Sequence, residues 1–243
     1  MEVHHHPDLH HEKKPWKEYL LEGLMIFLAV TMGFFAESLR ENIGAKEKEK
    51  EYIASFENNL EKDKAQLDYI IQDNNKKVKG LDTLISLFDK DMSNPVNRKK
   101  MYDDSWCVSY FSVFISNDAT MTQLKNSGGL QFIKHAHVAD SVSKYDQEVR
   151  GIYAAEAPYS KYTDYATEAM TDLFFFNLKK NADGSWGNAK ELYPLLSQDP
   201  KQVQIFFNKI KLERGWTQNY INNLKDRQPF VNNLIALLKK EYN

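Results

Sequence analysis

YLLEGLMIFLAVTMGFFA, residues Tyr19 to Ala36, is the one segment of this chain long and apolar enough to leave water for a bilayer. A spanning helix needs about 17–25 mostly apolar residues. Between Leu20 and Leu39 the ionisable residues are Glu22 and Glu37, one near each end, where a carboxylate reaches the headgroups at modest cost. The window's ten Leu, Ile, Phe and Val residues contribute roughly −3 to −6 kcal/mol of insertion free energy, more than two terminal carboxylates cancel. Trp16 and Tyr19 stand where an interfacial aromatic belt would, beside Lys13, Lys14 and Lys17. A signal peptide should close on a small-residue cleavage site, whereas this run closes on FFAESLREN. The charge-free part, Gly23 to Ala36, is short enough to leave a buried core helix as an alternative. Ala29 and Gly33 share a helix face, a small-xxx-small spacing that lets membrane helices approach.

Residues 1–18, MEVHHHPDLHHEKKPWKE, have no helical periodicity and read as a mobile His-rich tail. Neutral imidazoles could bind Zn²⁺, Ni²⁺ or Cu²⁺ there, but a mobile tail cannot preorganise a site, so no metal ligand is assigned. The expected organisation is tail (1–18), transmembrane helix (19–39) and an all-α domain (40–243). The domain is expected to be an elongated helical bundle with long first and last helices.

Within the domain, Ile53, Phe56, Leu60, Leu67, Ile70, Leu81, Leu84 and Phe88 follow three- and four-residue steps, predicting one long amphipathic helix ended by Asn94-Pro95. Asn74 and Lys77 fall on this seam and weaken its middle. Gly44 and Gly80 are weak points costing about 1 kcal/mol each relative to Ala. Met101 to Ile115 is dense in aromatic and apolar residues and reads as a central core helix, less readily as a strand. Asp118 is a candidate N-cap before ATMTQLKNS, with Gly128-Gly129 stopping that short helix at positive φ. Val138, Val142, Tyr145, Val149 and Ile152 form a further stripe closed by Pro158, and Tyr162, Ala166, Ala169, Leu173 and Phe176 repeat in the helix after it. Residues 181–187 form a turn-rich loop. Asp199-Pro200 opens a last long helix, striped by Val203, Phe207, Ile210, Ile221, Leu224, Val231, Leu234 and Leu238, which Pro229 should kink or split. Antiparallel pairing of this stripe with the Ile53 seam would bring the C-terminus back toward the bilayer.

The chain resembles a group of uncharacterised single-span membrane proteins of Bacteroidota that share a domain of unknown function. The likeness rests on WKEYLLEGLMIFLAVTMGFFAESLREN, on the charged helix beginning KEKEKEYI, and on MTQLKNSGGLQFI, similar to an LKxSGxLxxI element of that group. It implies a Gram-negative inner membrane with the N-terminus cytoplasmic and the domain periplasmic. Lysine and arginine alone do not fix that orientation, because Lys13, Lys14 and Lys17 precede the span while Arg40, Lys46, Lys48 and Lys50 follow it.

Chemistry is sparse in the sequence. The 32 basic and 34 acidic residues are well mixed, which excludes a general nucleic-acid binder. The single cysteine, Cys107, excludes an intramolecular disulfide framework and thiolate metal clusters. His135 and His137, with Asp140 nearby, lack the i, i+4 spacing of helical zinc motifs and read as surface or capping residues. Asp103 and Asp104 read as complements to the start of an aromatic helix. Ser127-Gly128-Gly129 lacks the frame of a nucleophile elbow or phosphate loop and reads as a helix C-cap. Tyr159, Tyr162, Tyr165 and Phe174 to Phe176 could line an apolar pocket, but their helical spacing favours core packing. No catalytic, cofactor-binding or metal residue is assigned. The expectation is a membrane-anchored envelope protein with a helical interaction or scaffold domain and no catalytic activity. Its partners would be the bilayer and another protein or a second copy. The alternative is a ligand-sensing helical module acting through a separate membrane partner.

Overall fold

The structure is a computed structural model, and it describes residues 15–176, 178–188 and 193–242. It divides into two units, Met1–Lys50 and Glu51–Asn243. Helix α1, Trp16–Ile85, contributes to both. Most of the His-rich tail, residues 1–14, lies outside the described residues. Helix α1 already begins at Trp16, inside the expected tail.

In the first unit, α1 carries the one apolar window long enough to cross a membrane, and none of that window is buried. Phe34 and Met32 are 73% and 69% exposed, values that water would not sustain across a whole helix turn. The Thr31 hydroxyl donates to the Phe27 carbonyl at 2.7 Å and is thus satisfied within its own helix.

The second unit is helical throughout its core, as its sequence periodicity predicts. After α1 come α2 (Pro95–Asp104), a 3-10 turn at Ser105–Cys107, α3 (Ala119–Asn126), a second 3-10 turn at Gly129–Phe132, α4 (Ala136–Leu173) and α5 (Pro200–Tyr242). A two-stranded antiparallel hairpin, β1 (Leu178–Lys180) with β2 (Trp186–Asn188), stands where a turn-rich loop is expected. Gly184 at its tip has φ +85°.

The seam of α1 is buried as predicted, with Leu60, Leu67, Leu81 and Leu84 fully enclosed. Each such leucine contributes about 1.5–3 kcal/mol. Pairs across the bundle fix its directions. Asp82–Arg214, Lys77–Glu213 and Glu61–Lys239 run α5 antiparallel to α1. Tyr162 stacked on Trp216, Tyr159 on Tyr220, and Glu148 paired with Arg227 run α5 antiparallel to α4. The expected pairing of first and last stripes is therefore present, with α4 completing a three-helix core.

Several sequence expectations are corrected. Helix α1 ends at Ile85, and Asn94-Pro95 opens a helix instead of ending one: Asn94 Oδ1 accepts from the Val96 N–H at 2.9 Å. Pro158 and Pro229 both lie inside continuous helices, because each is flanked on its own helix by buried residues whose packing offsets the lost hydrogen bond. Met101 to Ile115 is not one core helix. It comprises the end of α2, the 3-10 turn and then extended chain, and it leaves Trp106 and Ile115 51% and 66% exposed. Asp103 and Asp104 consequently close α2 rather than open a helix, and Asp103 pairs with Lys99 one turn back. Elsewhere the boundary chemistry agrees. Asp199 Oδ1 accepts from the Lys201 N–H at 2.9 Å, and Gly128 takes the left-handed conformation at φ +66° after α3.

Gly44 and Gly80 of α1 separate cleanly. A Cβ on Gly44 would meet nothing within 4 Å, whereas one on Gly80 would stand 2.9 Å from Cys107 Cβ and 3.0 Å from its sulfur. Gly80 is therefore a close-approach site for the 3-10 turn and not a weak point to be repaired. Gly44→Ala should raise stability by about 0.5–1 kcal/mol, and Gly80→Ala should lower it by about 1–3 kcal/mol. Thermal unfolding by circular dichroism distinguishes them, and equal shifts would refute the packing argument.

Candidate functional site

The feature that sets this bundle apart is a strap of non-helical chain, residues 110–117, laid over the helices. Its peptide groups do not pair with a sheet. They are held by side chains. Lys77 Nζ donates to the Tyr110 carbonyl at 2.6 Å, and Asn74 Nδ2 donates to the Ser112 carbonyl at 2.9 Å. The Ile115 N–H donates to Gln66 Oε1 at 3.2 Å, and the Asn117 N–H to Asp63 Oδ1 at 2.7 Å. The strap thus runs antiparallel to α1. Tyrosines of the other two helices hold it from beneath: the Phe114 N–H donates to Tyr220 Oη at 3.0 Å and the Ser116 N–H to Tyr153 Oη at 3.1 Å.

Three of these clamps, Asp63, Asn74 and Lys77, occupy the apolar seam of α1 at helical spacing. All are buried. Asn74 and Lys77 were expected there as weaknesses in a helix pairing; they are instead the residues that seat the strap. Asp63 was missed. It continues the same seam three residues after Leu60, and that spacing is the signal that could have found it. Its carboxylate accepts from Asn117 through both the backbone N–H and Nδ2, from the Ser116 hydroxyl at 3.1 Å and from the Tyr145 hydroxyl. The thinness of partners for so many buried tyrosine hydroxyls is only apparent. Tyr159 donates to Asn74 Oδ1 at 2.7 Å while stacking between Phe111 and Tyr220.

The deepest group is an ion pair. Lys77 Nζ stands 2.7 Å from Glu213 Oε1 with both side chains fully buried. The ammonium's three protons have Glu213, the Tyr110 carbonyl and Thr163 Oγ1 at 3.0 Å as near acceptors, with the Tyr159 hydroxyl farther off at 3.5 Å. The second oxygen, Oε2 of Glu213, has no hydrogen-bond partner. Burial pushes the Glu213 carboxyl up to about 7 against the opposing pull of Lys77, and burial pushes the Lys77 ammonium down. This layer separates two apolar clusters. On one side lie Ile53 to Val78, Val138 to Tyr159 and Tyr220 to Leu238. On the other lie Leu81 to Leu87, Ala166 to Phe174 and Phe206 to Ile210.

Compared with known proteins, the chain matches no family model, no curated protein and no solved structure. The resemblance drawn from the sequence therefore rests on its three quoted stretches.

The other residues weighed in the sequence are dispersed. His135 precedes α4 as its N-cap, and His137 lies in its first turn. Both are about half exposed and face Glu241 at 3.8 and 3.6 Å. Among the described residues, no group of three His, Cys, Asp or Glu side chains is placed to hold a metal ion. Tyr159 and Phe174 are buried and fill the core as their spacing suggests, Tyr162 is half-buried against Trp216, and Tyr165, Phe175 and Phe176 are exposed, with Tyr165 on the wall of a groove. Cys107 is buried and its thiol is pushed up to about 12, mainly by that burial, which leaves it a poor nucleophile. Between the strap and α4 lies an open groove of about 850 Å³, lined by Val113 to Ile115 and by Tyr153, Glu156, Ser160 and Asp164.

Proposed function

We propose that the chain is a single-pass inner-membrane protein, its N-terminus cytoplasmic and its helical domain periplasmic, working as an interaction or scaffold module for another envelope protein or a second copy. No catalytic activity and no nucleic-acid binding form part of this reading. The observation that carries it is the fully exposed apolar window of α1, a surface that has to be covered and whose length suits a bilayer. The strap supports the second half of the reading, because a rigidly seated segment flanked by exposed Trp106, Phe111 and Ile115 is a surface a partner can recognise. The alternative, a ligand-sensing module, has less behind it, since Tyr159 and Phe174 are core residues and Phe175 and Phe176 are exposed.

The protein should remain with membranes after carbonate extraction. Because Cys107 is buried and protonated at neutral pH, added cysteines can be read without replacing it. A cysteine at exposed Asp226 should react with an impermeant maleimide once the outer membrane is opened, and one at Glu18 only after the inner membrane is broken. The reverse pattern would invert the topology, and release by carbonate would end the anchor.

A further inference from the structure

The strap uses one edge of its backbone along its length and the other only at its far end, where Gln66 and Asp63 take the Ile115 and Asn117 N–H groups. In extended chain, residues two apart direct both N–H and C=O to the same edge. Residues 110, 112, 114 and 116 turn theirs to the helices, where Lys77, Asn74, Tyr220 and Tyr153 meet them. The N–H and C=O groups of Phe111 and Val113 make no hydrogen bond to any described residue. Phe111 is held in place nonetheless, stacked on Tyr159 with ring centroids 5.1 Å apart. The free stretch of edge at Phe111 and Val113 is therefore preorganised. Sheet proteins normally shield such an edge, because it templates pairing with another chain.

The groove beside the strap has a charge of its own. Glu156 and Asp164 have no partner among the described residues, and Glu168 approaches Lys209 only to 3.9 Å. The groove's lysine, Lys161, is turned onto the Tyr165 ring at 5.6 Å. An occupant that satisfies both features carries backbone donors and acceptors at strand spacing and positive side chains.

We propose that the Phe111–Val113 edge accepts an extended, lysine- or arginine-bearing segment of another protein as an added strand, with Glu156 and Asp164 recognising its charge. A second copy of this chain fits less well. Pairing through a two-fold axis would set the same carboxylates against each other across the interface. The proposal rests on the reading of the domain as an interaction module, and is independent of where the membrane lies.

The test uses the full chain in detergent micelles as bait for a random peptide library displayed on phage. Enriched peptides should carry Lys or Arg, and the best of them should lose about tenfold in affinity when alternate backbone amides are N-methylated, a change that leaves the bait untouched. Glu156→Lys with Asp164→Lys, on a groove face open to solvent, should cost a similar factor while leaving the helical spectrum unchanged. Enrichment of peptides without basic residues, or binding indifferent to both changes, overturns the site. A bait that doubles in mass without peptide, and returns to one copy on Val113→Pro, assigns the edge to self-pairing and overturns it as well. The interaction reading is judged separately, by cross-linking in cells to an envelope protein. Peptide capture without any such partner would sink that reading and leave the edge standing.

Discussion

Glu213→Leu is expected to destabilise the helical domain by about 3–5 kcal/mol, and adding Lys77→Met should recover most of that loss. The single change leaves an ammonium fully buried with its countercharge gone, held by the Tyr110 carbonyl, Thr163 and Tyr159. The double change exchanges the pair for apolar volume between two clusters that are already apolar. Denaturant unfolding of the full chain in detergent measures all three variants. If the double variant is as unstable as the singles added together, the two groups are not coupled and the buried-charge argument fails. The pair also predicts a pH dependence. Burial raises the Glu213 carboxyl from 4.5 to about 7, so the folded state binds the extra proton between those values. The resulting stabilisation is complete below the unfolded value and is lost as pH rises through about 7. Measured against Glu213→Gln, which does not titrate, the wild-type advantage should therefore shrink from acid toward neutral pH. An advantage that grows instead would mean that Lys77 holds the carboxylate charged throughout.

Sequence periodicity reads well here wherever burial and helix coincide. The α1 seam, the α5 stripe, the Asp199 cap and Gly128 each announce themselves, because one local rule decides each of them. The strap does not announce itself. Trp106 to Ile115 is as apolar as a core helix, and its extended form is selected by polar clamps far away in sequence. Its own composition, rich in Val, Tyr, Phe and Ile, suits an extended chain. That preference decides nothing until Lys77, Asn74 and Asp63 are recognised as ligands for peptide groups. Proline misleads for a related reason. Pro158 costs α4 one hydrogen bond, but buried Ile152 and Tyr159 on either side of it hold the helix through the break. The groove is legible only from the structure, since strap and α4 meet there across some forty residues of chain.

Asp63→Ala is expected to cost about 3–5 kcal/mol and to loosen the strap more than any other single truncation on α1. Four donors converge on this fully buried carboxylate: the Asn117 N–H, Asn117 Nδ2, the Ser116 hydroxyl and the Tyr145 hydroxyl. Removing it strands the Tyr145 hydroxyl and the Asn117 N–H away from good acceptors, and a buried group left unpaired loses its full desolvation cost. Leu60→Ala one turn away offers the control. It removes apolar volume from the same seam, at about 2–5 kcal/mol, without touching the strap. Hydrogen exchange separates the two losses. In Asp63→Ala the amides of residues 114–117 should exchange at conditions where α4 and α5 remain protected, because the bundle core does not depend on the carboxylate. In Leu60→Ala, strap and helices should lose protection together. If both variants show the same pattern, the strap has no anchorage distinct from the core, and its free edge could not stand ready for a partner.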